Sequence, residues 1–182
     1  MYGIVNKAME DMVTNLRGRA TWEAVKRLAG VDLDSFMDMQ PYDDAVTDRL
    51  VDAAARLFSL EVDEVLEAFG EYWMLYTAEK GFGDILGAAG TDVFEVLRNV
   101  DAMHGRLALT FPDMRMPYMS IDRIDAHSAT LHYRSDRTGL APMLVGIVKG
   151  LGARFGTPVM IEQLPRLDDG LPGERFAITL AP

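Results

Sequence analysis

From Tyr2 to about Leu109 the chain repeats apolar side chains at helical spacing, and after Phe111 that repeat stops. The break constrains the fold more than any other feature, because residues three and four apart share one face of a helix whereas alternate residues share one face of a strand. Ile4, Ala8, Met12 and Leu16 recur every fourth residue and predict a first helix. A second follows in TWEAVKRLAG, with Thr21 as its predicted cap, Glu23 in the first turn near the positive end of the helix dipole, and Gly30 as its stop. Beyond the turn-prone MQPYDD, helical spacing resumes in AVTDRLVDAAARLFSL and EVDEVLEAFGEYWMLYTA, passes through the short, glycine-bounded GFGDILGAAG, and continues from about Asp92 to Leu107. After Phe111, RMPYMSIDRI and SATLHYRS read as strands joined at DAH, GLAPMLVGIVKGLGARFG as a helix, and PVMIEQL and ERFAITL as a hairpin across PRLDDGLPG. The prediction is one α+β domain: a helical N-terminal lobe over residues 1 to about 65, and a C-terminal lobe over about 66 to 182 with a four-stranded antiparallel sheet and a helix.

A chain of 182 residues with 49% hydrophobic content can bury a real core within a single domain. It contains no cysteine, which excludes disulfides and every thiolate-held metal or iron–sulfur cluster, so any metal must rest on nitrogen or oxygen. The net charge of −10 repels phosphate backbones and anionic lipids, so neither nucleic acid nor membrane is an expected partner. No apolar run has the roughly 18 residues of a spanning helix, and the N-terminus lacks the pattern of a signal peptide, so a soluble, cytoplasmic protein is expected. Most of the twelve methionines are expected in ordinary core, although a core moulded around a non-protein group would also favour them.

Of three histidines, His127 falls in the predicted turn and His132 faces away from Tyr133 on its strand, so both are expected in solvent. His104 continues the stripe Val93, Leu97, Val100, His104, Leu107 and therefore faces the core. A histidine on an apolar face is more often a hydrogen-bonded core residue than a ligand, and without a second ligand on that face a zinc site is disfavoured. Heme asks less of the protein: one proximal histidine in an apolar pocket, and donors for two propionates. Tyr133, Ser135 and Arg137, alternating along an extended strand, would present two hydroxyls and a guanidinium on one side. The plainer reading has Arg137 on a surface acid and Tyr133 packed in the sheet.

Together these residues resemble the heme nitric oxide/oxygen-binding (H-NOX) family, related to the heme domain of soluble guanylate cyclase. The resemblance rests on LRNVDAMHGRL and YRSDR, about thirty residues apart, and on Pro117 in MRMPYM, and it covers essentially the whole chain. It implies heme b between the lobes, His104 as axial iron ligand, Tyr133, Ser135 and Arg137 on the propionates, and Pro117 packed on the heme. Ile4, Val5, Trp73, Leu107, Met143, Leu144 and Ile147 are the expected pocket walls, with Ala8 near the first two. Oxygen-binding members carry a distal tyrosine on the helix after the clamp; here that helix offers Pro142, Met143, Leu144, Val145 and Ile147 instead. The family pattern thus implies a sensor of nitric oxide and carbon monoxide that excludes oxygen, although Tyr72 and Tyr76 leave a donor from another helix open.

The resemblance further implies loss of the iron–His104 bond on nitric oxide binding, relayed to a separate sensor histidine kinase or cyclic-di-GMP enzyme. A switch rather than an enzyme is expected, since neither a nucleophile elbow, a phosphate-binding glycine loop nor HExxH occurs. The competing reading is a heme-free or other-ligand interaction module on the same scaffold.

Overall fold

A computed structural model describes residues 1–77, 83–111, 113–165 and 173–181. Its helices are α1 (Gly3–Arg17), α2 (Arg19–Ala29), α3 (Asp44–Phe58), α4 (Val62–Thr77), α5 (Gly83–Ala89), α6 (Val93–Thr110) and α7 (Ala141–Arg154), and its strands β1 (Tyr118–Arg123), β2 (Ser128–Arg134), β3 (Val159–Leu164) and β4 (Glu174–Leu180). The strands form one antiparallel sheet in the order β1-β2-β4-β3, so the α+β architecture expected from periodicity is the one observed. Most of the predicted β3–β4 loop, residues 166–172, lies outside the described residues. Among the described residues no helix is long and apolar enough to cross a membrane.

Local chemistry sets the helix ends. Asp43 caps α3 by accepting from Ala45 N at 3.0 Å, and Gly30 stops α2 in the left-handed conformation, as predicted. Two expectations are corrected. Thr21 does not cap α2, which begins earlier, after Gly18; the Thr21 hydroxyl donates back to Arg17 O, and Glu23, a turn inside the helix, pairs with Arg19 and Lys26. Leu16, the fourth member of the α1 repeat, is 66% exposed, because α1 runs out of neighbours in its last turn.

Two buried clusters make up the core. One gathers α1, α2, α3 and much of α4 around Trp22, Phe36 and Phe69; the other gathers α6, α7 and the inner sheet face around Phe94, Leu131 and Phe176. Helices α4 and α7 join them by near contact of their backbones. A Cβ on Gly70 would stand 2.1 Å from Met143 O, and one on Gly146 would stand 1.9 Å from Glu67 O. Lys149 on α7 pairs with Glu67 on α4 beside this crossing.

Gly146→Ala should therefore destabilise the protein by about 3 kcal/mol, since the clash is with a carbonyl that cannot swing aside, and the helix-propensity gain of up to ~1 kcal/mol does not offset it. For a domain of this size that corresponds to a Tm lower by about 6–12 °C. An unchanged melting temperature would show that the two helices are not this close.

Candidate functional site

Between the two clusters lies a cavity of about 280 Å3, walled by α1, α4, α6, α7, the segment before β1, and the end of β2. Helix α6 is anchored at its start, where Asp92 accepts from Glu95 N at 2.8 Å and Glu95 accepts from Thr91 N at 2.9 Å. From that anchor the helical repeat buries Val93, Leu97 and Val100 and carries His104 and Leu107 to the cavity wall, both half-buried.

His104 donates Nδ1–H to the carbonyl of Pro117 at 3.2 Å, which fixes the tautomer and leaves Nε2 as the lone-pair nitrogen. Burial pushes its pKa below the usual histidine value; the Pro117 hydrogen bond and nearby Asp101 act in the opposite sense and do not overcome it. The ring is thus neutral at neutral pH, the form a metal requires. Asp101, one turn earlier, accepts from Met119 N at 3.0 Å and ties α6 to β1.

The polar end of the cavity is built differently from the alternating strand expected above. Strand β2 ends at Arg134, with Tyr133 buried at 7% and paired across to Met119 and Glu174. Beyond it the chain turns, and the Ser135 hydroxyl accepts from Arg137 N at 3.1 Å. This turn, not strand alternation, keeps Tyr133, Ser135 and Arg137 all on the cavity. Burial raises the Tyr133 pKa, with the Ser135 hydrogen bond partly offsetting it, so its hydroxyl stays protonated.

Arg137 also meets an acid. Its Nε and Nη2 donate to Asp44 Oδ2 and Oδ1 at 2.7 and 3.2 Å, and Nη1 donates to Arg115 O at 3.0 Å. Asp44, the first residue of α3, pairs with the Met1 amine as well, and its carboxyl is held well below the usual carboxylate range, chiefly by Arg137. Nothing in the sequence pattern marks Asp44, because it acts on a residue 93 positions away.

On the side formed by α1, α4 and α7, the cavity is lined by Ile4, Val5, Trp73, Met143, Leu144 and Ile147, all expected there, together with Met74 and Thr77, which were not. The Thr77 hydroxyl is engaged, donating to Trp73 O at 2.8 Å. Neither tyrosine left open reaches the cavity lining: Tyr72 hydrogen-bonds Asp11 and accepts from Asn15 Nδ2, while Tyr76 is buried and stacks on Trp73 at 6.3 Å. Ala8, Pro142 and Val145 do not line it either. Seven of the twelve methionines do, which resolves the methionine excess in favour of a wall moulded around a space rather than an ordinary core.

These features fit heme on their own chemistry: apolar walls, one neutral imidazole with Nε2 left to coordinate, and donors for carboxylates gathered at one end. A propionate there would share Arg137 with Asp44 rather than find it unpartnered.

The comparisons agree. The haem-NO-binding family model matches residues 2–163. Soluble guanylate cyclase gcy-35 of Caenorhabditis elegans is 26% identical over 94% of this chain and 25% of its own length, and subunit beta-2 of the soluble guanylate cyclase of Rattus norvegicus is 31% identical over 52% of this chain and 14% of its own. The chain thus spans about a quarter or less of these relatives. The H-NOX protein from S. oneidensis in its Fe(II)NO state superposes with a TM-score of 0.88 at 18% identity, covering 100% of both chains. The unliganded Fe(II) H-NOX protein from K. algicida gives 0.83 at 19% identity, over 100% of this chain and 97% of that one. With its lobes, cavity and polar end arranged as described, and with the family model matching nearly its full length, the chain belongs to the haem-NO-binding (H-NOX) family, a heme-binding gas-sensor domain related to that of soluble guanylate cyclase.

Proposed function

We propose that this chain senses nitric oxide, and binds carbon monoxide, at ferrous heme b held by His104, excludes dioxygen, and relays the event to a separate signalling partner. The observation that carries this reading is the wall formed by α1, α4 and α7, where among the described residues these helices present no tyrosine to the cavity, the hydroxyl of Tyr2 just before α1 accepts from Asp113 N at 3.4 Å, and the Thr77 hydroxyl is tied to Trp73 O. Heme b, when bound, would supply a ferrous iron able to bind a diatomic gas. His104 provides that ligand through Nε2, kept neutral by burial and aimed by the Pro117 carbonyl. Tyr133, Ser135 and Arg137 orient the carboxylates, Pro117 packs against the ring, and Leu107 with the apolar walls keeps water out. Bound dioxygen is polar and gains from a donated hydrogen bond, which this wall withholds; nitric oxide and carbon monoxide need none.

In the relay, His104 would couple the group to α6, and its release on nitric oxide binding, which the family resemblance implies, would free α6 to shift against Pro117 and β1. A partner that distinguishes the two positions of α6 reads the signal, because a ligand moves an equilibrium only by its differential affinity for the two states. The family resemblance puts a sensor histidine kinase or a cyclic-di-GMP enzyme in that role, with this domain itself non-catalytic.

The absorption spectrum of the reduced, heme-loaded protein tests this directly. The Soret band should ignore air, shift with carbon monoxide, and with nitric oxide move to the position of a histidine-free complex. A stable oxy spectrum would sink the exclusion of dioxygen and point to Thr77 or the Trp73 indole as a donor. No Soret band after reconstitution would favour the heme-free interaction module.

A further inference from the structure

Helix α4 carries Phe69, Tyr72, Trp73 and Tyr76 within about two turns, and of these Trp73 alone lines the heme cavity. The Trp73 indole stacks on the Tyr76 ring, with centroids 6.3 Å apart and planes inclined by 27°, and meets Phe69 edge-on at 6.2 Å. Tyr76 is buried, and Tyr72 stands one turn before it on the same helix face, where side chains four apart are neighbours. The Tyr72 hydroxyl donates to the Asp11 carboxylate on α1 and accepts from Asn15 Nδ2 at 2.7 Å. Three oxidisable rings therefore lead from the cavity wall to a phenol whose proton already points at a base.

Holding heme and a gas needs Trp73 only as a wall and makes no use of Tyr72 or Tyr76. Their order suits the passage of an electron. An indole can lose an electron before it loses a proton, whereas a phenol gives one up readily only as its proton departs, and Asp11 is placed to receive that proton. Asp38, Asp11 and Glu10 face Tyr76 with their charges, and Lys7, which opposes them, is paired with Asp38 at 2.9 Å, so a positive charge on these rings is favoured. Tyr2 and Tyr133 stand on the cavity itself, but the Tyr2 hydroxyl accepts from Asp113 N and that of Tyr133 meets Ser135, and neither hydrogen-bonds a carboxylate among the described residues. The wall also holds what an oxidant would damage, since thioethers oxidise to sulfoxides and methionines are frequent there.

We propose that Trp73, Tyr76 and Tyr72 conduct one electron from Tyr72 to hydrogen peroxide reduced in the cavity; this rests on heme occupying that cavity, and not on the choice of gas or partner. As its O–O bond breaks, hydrogen peroxide takes up two electrons, and with two protons from solvent it leaves as two waters. Tyr72 supplies one electron by way of Tyr76 and Trp73, its phenolic proton passes to Asp11, and ferrous iron, becoming ferric, supplies the other. The path thereby spares the methionines of the wall. In the test, ferrous, heme-loaded protein is mixed with hydrogen peroxide and rapidly frozen; electron paramagnetic resonance reads organic radicals and mass spectrometry reads methionine sulfoxide. The parent protein should show a tyrosyl radical. Tyr72→Phe should alter its hyperfine pattern, and Tyr76→Phe should replace it with a tryptophanyl radical and raise sulfoxide on Met74 and Met143. Both side chains lie off the cavity, so both variants should keep the Soret band of the parent. Absence of any organic radical, or a tyrosyl radical that both variants leave unchanged and that therefore sits on Tyr2 or Tyr133, would overturn the proposal, as would equal sulfoxide in the parent and Tyr76→Phe. A parent protein without a Soret band would instead overturn the heme reading, and this proposal with it.

Discussion

Replacing His104 with glycine is expected to remove the Soret signature of a histidine-held heme from an otherwise folded protein. The side chain is half-buried and makes one hydrogen bond, to Pro117 O, so its loss opens space at the cavity wall without breaking the packed stripe of Val93, Leu97 and Val100 behind it. Changing even an outer-shell partner of a metal ligand costs about 10–100-fold in affinity, and removing the ligand itself should cost at least that. Imidazole added to the buffer can enter the vacated volume, present a neutral nitrogen, and restore the spectrum. A variant whose spectrum matches the parent protein without imidazole would show that another group holds the iron. The same variant also tests the relay: in ferrous H104G loaded with imidazole, gas binding is uncoupled from α6, and any partner response to nitric oxide should vanish.

Arg137→Ala should have the second largest effect, and it acts on two things at once. It deletes the guanidinium at the polar end of the cavity and the bidentate pairing with Asp44, whose two sides are 17 and 28% exposed. Heme should dissociate at least about tenfold faster, in keeping with roughly 1.5–3 kcal/mol for a charge-assisted hydrogen bond.

The apo form should report the Asp44 pairing separately through pH. Asp44 has a folded pKa depressed mainly by Arg137, so the unfolded chain takes up its proton first as pH falls. The pair therefore contributes stability above the usual carboxylate range, and that contribution is lost as pH drops through this range toward the depressed folded value. In Arg137→Ala that acid-dependent loss should shrink, and Asp44→Asn should shrink it further, because the Met1 amine and Arg115 still face Asp44 in the first variant. Parallel melting curves against pH for the parent and both variants would show that the pairing carries no such weight. If Asp44→Asn alone also speeds heme loss, the carboxylate orients Arg137 for its second partner; if heme is retained better, the two compete for it.

How much of this was legible beforehand depends on the range of the interaction involved. The stripe leading to His104 is a property of adjacent turns of one helix, and it survives in the structure because α6 is capped by its own Asp92 and Glu95. Each expected wall residue, from Ile4 and Val5 to Met143, Leu144 and Ile147, also stands on the cavity. The reading of YRSDR reached the correct side of the molecule by an incomplete route. Strand alternation accounts for Tyr133 against Arg134, but Ser135 and Arg137 face the cavity because of a hydroxyl-capped turn. Leu16 was misplaced because periodicity marks a face of a helix without saying how far its neighbours extend along it.

By itself, then, the sequence determined the helical lobe, the four strands, the inward turn of His104 and the coincidence of one histidine with a distant set of donors. These rest on repeats of two or 3.6 residues and on side-chain chemistry, both local to the chain. Only the tertiary structure decided that Asp44 holds Arg137, that Tyr72 and Tyr76 turn away from the cavity while Thr77 enters it, and that Gly70 and Gly146 bring α4 and α7 into backbone contact. Each of these is a meeting of segments far apart in the chain, chosen by how whole helices pack, and packing depends on shape and volume that no local repeat records.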